Sequence, residues 1–303
     1  MKEPMPVSKV AKERSRLALY FLLPMLVVVV LLAIWPLLYN IYLSFRNHNL
    51  FNVAARGWAG VSNYKFLLFN DPIFWESLKK LMIYVVAVVG VEFIMGFAIA
   101  LLLDRKMKGI NFFRAIFIFP LIIAPVVVGF FWRFLFEPTS GLINYLFGLV
   151  GLTGLHWIDS AGTALIAIMI VDIWQWTPFM SIVLLAGIQS IPREVVEASM
   201  LDGLGFLNYM WRVLLPILKP VILIVVLIRI IDAIKVFDTI LVLTRGGPGT
   251  ATYLTSVYNY DLLFQKMEAG EASTLALITI ILINILAIAL IKSLKSNQLE
   301  IKA

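Results

Sequence analysis

The sequence predicts an all-α membrane protein with six transmembrane helices and both termini on the cytoplasmic side. Three observations carry this. First, 61% of the 303 residues are hydrophobic and only 14% are charged, against about 25% charged in a soluble domain, and the mean hydropathy is +0.95. Second, six apolar stretches approach the ~20 residues a helix needs to cross the hydrocarbon core; they lie at roughly 17–39, 80–103, 113–136, 163–188, 217–240 and 273–292. Third, the segments between them differ in Lys and Arg. Fifteen fall on one side, in the N-terminal tail (Lys2, Lys9, Lys12, Arg14, Arg16), the 104–114 turn, the 189–220 segment and the C-terminal tail. Nine fall in longer loops on the other side. The richer side is expected to be cytoplasmic.

In chain order, residues 1–16 read as a cytoplasmic tail and 17–76 as a first span with its outer loop. Residues 77–292 read as a five-helix core containing the segment 190–220, and 293–303 as a second tail. The first apolar run reaches Leu38, longer than the 7–15-residue core of a signal peptide, so a retained span is expected. The outer loop 46–76 is rich in aromatics (Phe51, Trp58, Tyr64, Phe66, Phe69, Phe74, Trp75), which suits the headgroup level of a bilayer. Residues 137–161 carry no Lys or Arg, and the Thr244–Thr252 stretch has the Gly and Pro content of a tight turn closing the fifth span.

Several function classes are excluded. Cys is absent and there are only two His, so no disulfide framework or thiolate metal site exists and a His-based one is not expected. The net charge of +7 is held in short clusters between spans, not on one basic face, so no nucleic-acid partner is expected. No G-x-x-x-x-G-K-[ST], H-E-x-x-H or G-x-S-x-G motif occurs. No catalytic residue, metal ligand or cofactor is assigned to the chain.

The segment Glu197–Pro220 is amphipathic and partly charged, between two apolar runs. Pro192 suits a first helical turn, and Glu194 and Glu197 complement a helix N-terminus. Gly203 permits a positive φ that ends this helix. A second helix carries Phe206, Tyr209, Met210, Trp211 and Val213, with Pro216 and Pro220 marking entry to the next span. Such a helix pair fits a groove in a soluble partner or lies on the headgroups; the residues alone leave both open.

Polar groups at membrane depth are the remaining candidates. Glu92, between Gly90 and Gly96, either hydrogen-bonds a neighbouring helix or contacts a solute. Asp172, Gln175 and Trp176 share a helix face and either bind solute or pack subunits, whereas Trp174 points elsewhere. Pro178 frees a carbonyl that needs a partner. Arg229, Asp232, Lys235 and Asp238 alternate in sign every three residues, as in a self-neutralising ladder, with Asp232 and Asp238 also solute-path candidates. Asn284 is expected to bond a neighbouring helix.

Glu197-Ala198-Ser199, Asp202-Gly203, Leu215-Pro216 and Pro220 resemble the EAA loop of ABC-importer permeases, E-A-A-x-x-D-G-A followed by L-P, with departures at Ser199 and Leu204. Phe237-Asp238, Leu243-Thr244 and Gly246-Gly247-Pro248 resemble a pattern of the carbohydrate permeases, in the first-type subunit of a two-permease heterodimer. Pro36–Phe45, Gly60–Tyr64, Phe113–Trp132 and Gly141–Asn144 extend the similarity over nearly the whole chain. The resemblance implies a type I ABC importer permease fold in a prokaryotic inner membrane and import of a sugar, such as a disaccharide or polyol, by alternating access. It implies that Glu197, Ala198, Ser199, Asp202, Gly203 and Pro216 couple to an ATPase. It also implies a second permease subunit, two ATPase subunits that bind ATP and Mg, and an extracytoplasmic binding protein. A permease for a glycerol phosphodiester or oligopeptide, or a non-transporting scaffold, are the alternatives.

Overall fold

The computed structural model describes Leu17, residues 20–52, Ala54, residues 56–105 and residues 108–300. The basic N-terminal tail, Lys106 and Lys302 lie outside the described residues, as do the side chains of 293–300. The chain forms two units, one of residues 1–70 with 262–278 and one of 71–261 with 279–303.

In the first unit, helix α1 (Tyr20–Ser44) is apolar and exposed from Tyr20 to Tyr39, while Ser44 at its end is buried. Its exit is tied down by Gly60–Tyr64. Asn63 donates to the carbonyls of Ser44 (3.0 Å) and Arg46 (2.9 Å), and the Tyr64 and Ser44 hydroxyls share a 2.8 Å bond. A two-residue ladder pairs β1 (Arg46–Asn47) with β2 (Gly57–Trp58), antiparallel, and stacks Phe45 on Trp58. Asn49 reaches Glu268 at 2.8 Å, and Thr274 donates to Ser44 O at 3.1 Å. The aromatic loop is therefore partly a folded cap on the helix exit, while Phe51 and Phe69 stay exposed.

The second unit is built on α2 (Pro72–Leu103) and α5 (Ala164–Gln189), which pack along one another. Asp71 caps α2 by accepting from Ile73 N at 2.9 Å, with Pro72 in the first turn. Without a hydrophobic drive between helices in lipid, close approach through small residues carries such packing. A Cβ on Gly96 would lie 2.8 Å from Met180 Cγ and 3.1 Å from Ser181 N, so only Gly permits this crossing. Leu81, Tyr84, Val88, Ile168, Val171, Met180, Leu184 and Val225 form the buried centre.

The third expected span, 113–136, is not one straight helix. It is α3 (Ile110–Ile122) and α4 (Pro125–Leu135), bent by 98° at their junction. Pro125 pushes Ala124 into extended backbone (ψ 137°), and Pro120 has already removed one donor from α3. Among the described residues five helices are long and apolar enough to cross a membrane, and six if this pair counts as one broken span.

Helix α6 (Arg193–Leu201) follows α5, and Gly203 adopts φ +68° after it. The expected second amphipathic helix is not separate. Helix α7 (Phe206–Ile234) runs unbroken from it into the fifth span, through a π turn at Met210–Leu214. That span ends at Ile234, earlier than the expected 240; Lys235–Phe237 interrupt it, and α8 (Asp238–Leu243) starts anew. The turn after α8 places Arg245, Gly246 and Gly249 at positive φ. In α9 (Ala269–Glu300), Asn284 donates to Ile280 O of its own helix at 2.8 Å, so the expected bond to another helix is not the one formed.

Candidate functional site

Three helices of the second unit meet at a buried charge cluster. Arg229 on α7 is fully buried, donating from Nε to Glu92 Oε2 and from Nη2 to Glu92 Oε1, both at 2.7 Å. Its Nη2 also donates to Asp172 Oδ2 at 2.8 Å. The fork geometry of guanidinium suits two carboxylate oxygens at once. Trp176, one turn after Asp172, lays its ring 4.9 Å from the guanidinium carbon, a cation–π contact in a dry setting. Removing one partner from such a pair leaves an uncompensated buried charge, at about 3–5 kcal/mol. One guanidinium faces two carboxylates, and Arg229 Nη1 has no protein partner.

The predicted ladder along one helix is therefore corrected. Arg229 does not pair with Asp232; it pairs across to α2 and α5. Of the ladder only Lys235–Asp232 remains, at 3.3 Å and partly exposed, and Asp238 stands at the start of α8. Sequence spacing missed Arg229 as a site residue. The available signal was that Glu92 and Asp172 were isolated acids at membrane depth, and Arg229 was the base buried within a span.

Beside the cluster lies a cavity of about 260 Å³. Asp172, Trp176, Arg229, Asp232, Lys235 and Asp238 line it, with Phe237 contributed by the break after α7. Four candidates from the sequence, Asp172, Trp176, Asp232 and Asp238, thus come together. Glu92 is held behind Arg229 and Gln175 is used elsewhere; neither lines the cavity. Gln175 Nε2 donates to Ile123 O at 3.0 Å, satisfying a carbonyl freed by the α3–α4 bend. Trp174 packs edge-on against Trp132, centroids 5.6 Å apart. Pro178 stays within an unbroken α5, with Thr177 Oγ1 bonded to Ile173 O at 2.6 Å.

At the far end of α7 the coupling candidates sit on α6 and the turn after it. Glu197, Ala198, Asp202 and Gly203 are exposed, and Leu201 is 89% exposed. Ser199 is buried, its hydroxyl bonded to Val196 O at 2.6 Å. Leu204 is half-buried, and its N–H reaches Ser199 O at 3.2 Å. The two departures from the EAA pattern thus contact each other through the backbone and leave the outward face of α6 as Glu197, Ala198 and Leu201. Pro216 is exposed on α7. Among the described residues no group of acids or histidines is placed to hold a metal ion.

These spans define a multi-pass membrane protein. Residues 92–297 match the family described as binding-protein-dependent transport system inner membrane component, and the chain belongs to that family. It is an ABC transporter permease subunit, non-catalytic, served by ATP hydrolysis in a partner ATPase. It is 34% identical to the probable ABC transporter permease protein y4oQ of Sinorhizobium fredii, covering 93% of this chain and 92% of that one. It is 32% identical to the trehalose/maltose transport system permease protein MalF of Thermococcus litoralis, covering 91% and 92%. The fold is similar to that of a bacterial ABC transporter involved in the import of the acidic polysaccharide alginate, with TM-score 0.80, 22% identity, and 93% and 96% of the chains covered. The fold is thus that of type I ABC importer permeases.

Proposed function

We propose that this permease carries a neutral saccharide, of the size of a disaccharide such as trehalose or of a polyol, through the cavity beside Arg229. The observation that carries this is the cavity's lining. Trp176 and Phe237 offer ring faces for the C–H surface of a sugar, and Asp172, Asp232, Asp238 and Lys235 offer paired hydroxyl partners. Three carboxylates face two cations there, and Arg229 is already neutralised by Glu92 and Asp172. A phosphodiester would need an excess of cations, so this balance favours a neutral solute. Relatives named for trehalose transport, including the permease SugA of Mycobacterium tuberculosis at 30% identity, support the same reading.

In this reading the chain is one of two different permease subunits in a prokaryotic inner membrane, with both tails cytoplasmic. Residues 77–292 form the translocating core. Two ATPase subunits hold ATP and Mg and take up the 190–220 segment through Glu197, Ala198 and Leu201, with Gly203 setting the turn. An extracytoplasmic binding protein delivers the sugar. Reconstitution with the cognate ATPase, second permease and binding protein, followed by uptake across a solute panel, tests it. ATP-dependent accumulation of a sugar or polyol is expected. ATP-dependent uptake of a glycerol phosphodiester or oligopeptide with none of any sugar would sink it.

A further inference from the structure

A second cavity, of about 860 Å³, lies where the ends of α2 and α5 meet α3, α6 and the first turns of α7. Arg105, Arg114 and Arg193 line it against a single acid, Asp104. Among the described residues none of the three arginines is in an ion pair. Arg114 spends Nη2 on Leu103 O at 2.7 Å, while its Nε is buried without a partner. Apart from Gln189 and Tyr209 the rest of the wall is apolar, with Leu101, Ile110, Ile188, Val196 and Phe206 among it. Helix α3, which supplies Ile110 and Arg114, exposes Phe112 and Phe113 on its outer face. Three cations over an apolar pocket at the end of membrane-spanning helices match one chemistry, a phosphate diester carrying acyl chains. A soluble anion would leave the apolar wall unfilled, and a neutral lipid would leave the arginines uncompensated.

We propose that this cavity is a binding site for an anionic phospholipid, whose headgroup phosphate sits among Arg105, Arg114 and Arg193. Basic pockets between membrane helices on the cytoplasmic side take such headgroups. The regulatory consequence rests on the proposed coupling role of 190–220. Arg193 and Val196 belong to α6, and Phe206 and Tyr209 begin α7. A bound lipid therefore braces the coupling segment against α2 and α3, and ATPase coupling varies with the anionic lipid content of the membrane.

The test is native mass spectrometry of the full-length chain, purified with its accompanying subunits and titrated with dioleoyl phosphatidylglycerol or dioleoyl phosphatidylcholine. Phosphatidylglycerol is expected to be retained preferentially. Each basic residue near an anionic surface contributes about fivefold in affinity, so the exposed pair Arg105→Gln/Arg193→Gln should weaken retention about 25-fold. Arg114→Lys, which keeps the charge, should stay within about fivefold of wild type. Unchanged retention in the double variant, or equal retention of phosphatidylcholine, overturns the proposal. Displacement of the lipid by millimolar inorganic phosphate alone makes this a free-anion site and also overturns it. Binding only after the accompanying subunits are stripped away assigns the cavity to a protein interface and overturns it as well. Retention does not depend on the solute carried, so failure of sugar uptake with retention intact strikes the saccharide reading alone.

Discussion

Arg229 holds Glu92 by two hydrogen bonds of 2.7 Å, joining α7 to α2 across 137 positions of sequence. The same guanidinium takes Asp172 at 2.8 Å and brings in α5. Arg229→Ala would leave two carboxylates buried together and cost about 3–5 kcal/mol of stability. Thermal unfolding of the purified protein in detergent measures this. The neutral set Glu92→Gln/Arg229→Met/Asp172→Asn should recover most of the loss, because neutral groups carry no desolvated charge. If Arg229→Ala unfolds at the wild-type temperature, the cluster does not organise the bundle.

Gln175 separates structural from solute-contacting roles. Gln175→Leu leaves Ile123 O unpartnered at the α3–α4 bend, at about 1–3 kcal/mol. Stability should fall while the ranking of transported solutes stays the same. A changed solute preference with stability intact would place Gln175 in the transport path after all.

The cavity residues should behave in the opposite way. On the proposed saccharide reading, Asp232→Asn would weaken a hydrogen bond between a charged group and a sugar hydroxyl, about 1.5–3 kcal/mol, and Asp238→Asn would do the same. Apparent affinity for the transported sugar should fall roughly 10- to 100-fold on that scale, read from concentration-dependent uptake in vesicles. Trp176→Ala also removes the cation–π contact, worth about 0.5–2 kcal/mol, so it should lower both affinity and stability.

Gly203 sits at φ +68°, where a residue with a Cβ costs about 1–2 kcal/mol and proline, locked at a φ of about −65°, does not fit. Gly203→Pro, or charge reversal at Glu197, should abolish ATP-driven uptake while membrane insertion and solute-site integrity persist. Normal uptake in both variants would remove 190–220 from the coupling path.

Glu137, outside the spans, has its carboxyl held down at about 2 by the backbone and side-chain donors of Ser140 and then Thr139. A depressed carboxylate contributes order that is full above its ordinary value of 4.5 and lost as pH falls toward 2. The Glu137–Gly141 turn should thus stay closed at pH 4 and open below about 2. A carboxyl chemical-shift titration of Glu137 checks this, and a midpoint near the ordinary value would refute it.

Element existence was largely legible in the sequence because bilayer thickness imposes length and apolarity on every span. The bend at Ile123–Ala124 was not, since a continuous apolar run masked the effect of Pro125. Nor was the continuity of α7: Pro216 and Pro220 read as a boundary, yet both lie within one helix, just beyond the π turn at Met210–Leu214. In the site, Asp172, Trp176, Asp232 and Asp238 were visible as polar or aromatic groups at depth. That Arg229 joins Glu92, Asp172 and Trp176 was not, because spacing along one helix orders neighbours on that helix and says nothing of an acid 137 residues away. Gln175 shows the same limit, for its partner is a carbonyl that exists only once the α3–α4 bend has formed.

The length of α7 has a mechanical consequence. From Phe206 to Arg229 the helix rises about 35 Å at 1.5 Å per residue. A push at its first turns therefore arrives at the charge cluster as the displacement of a rod. The cluster in turn clamps that rod to α2 and α5, and parting it would strand a buried guanidinium at every cycle. The three helices are accordingly expected to move as one block. The give needed to reshape the cavity is therefore expected at the two places where the chain is already interrupted beside it, Ile123–Ala124 and Lys235–Phe237.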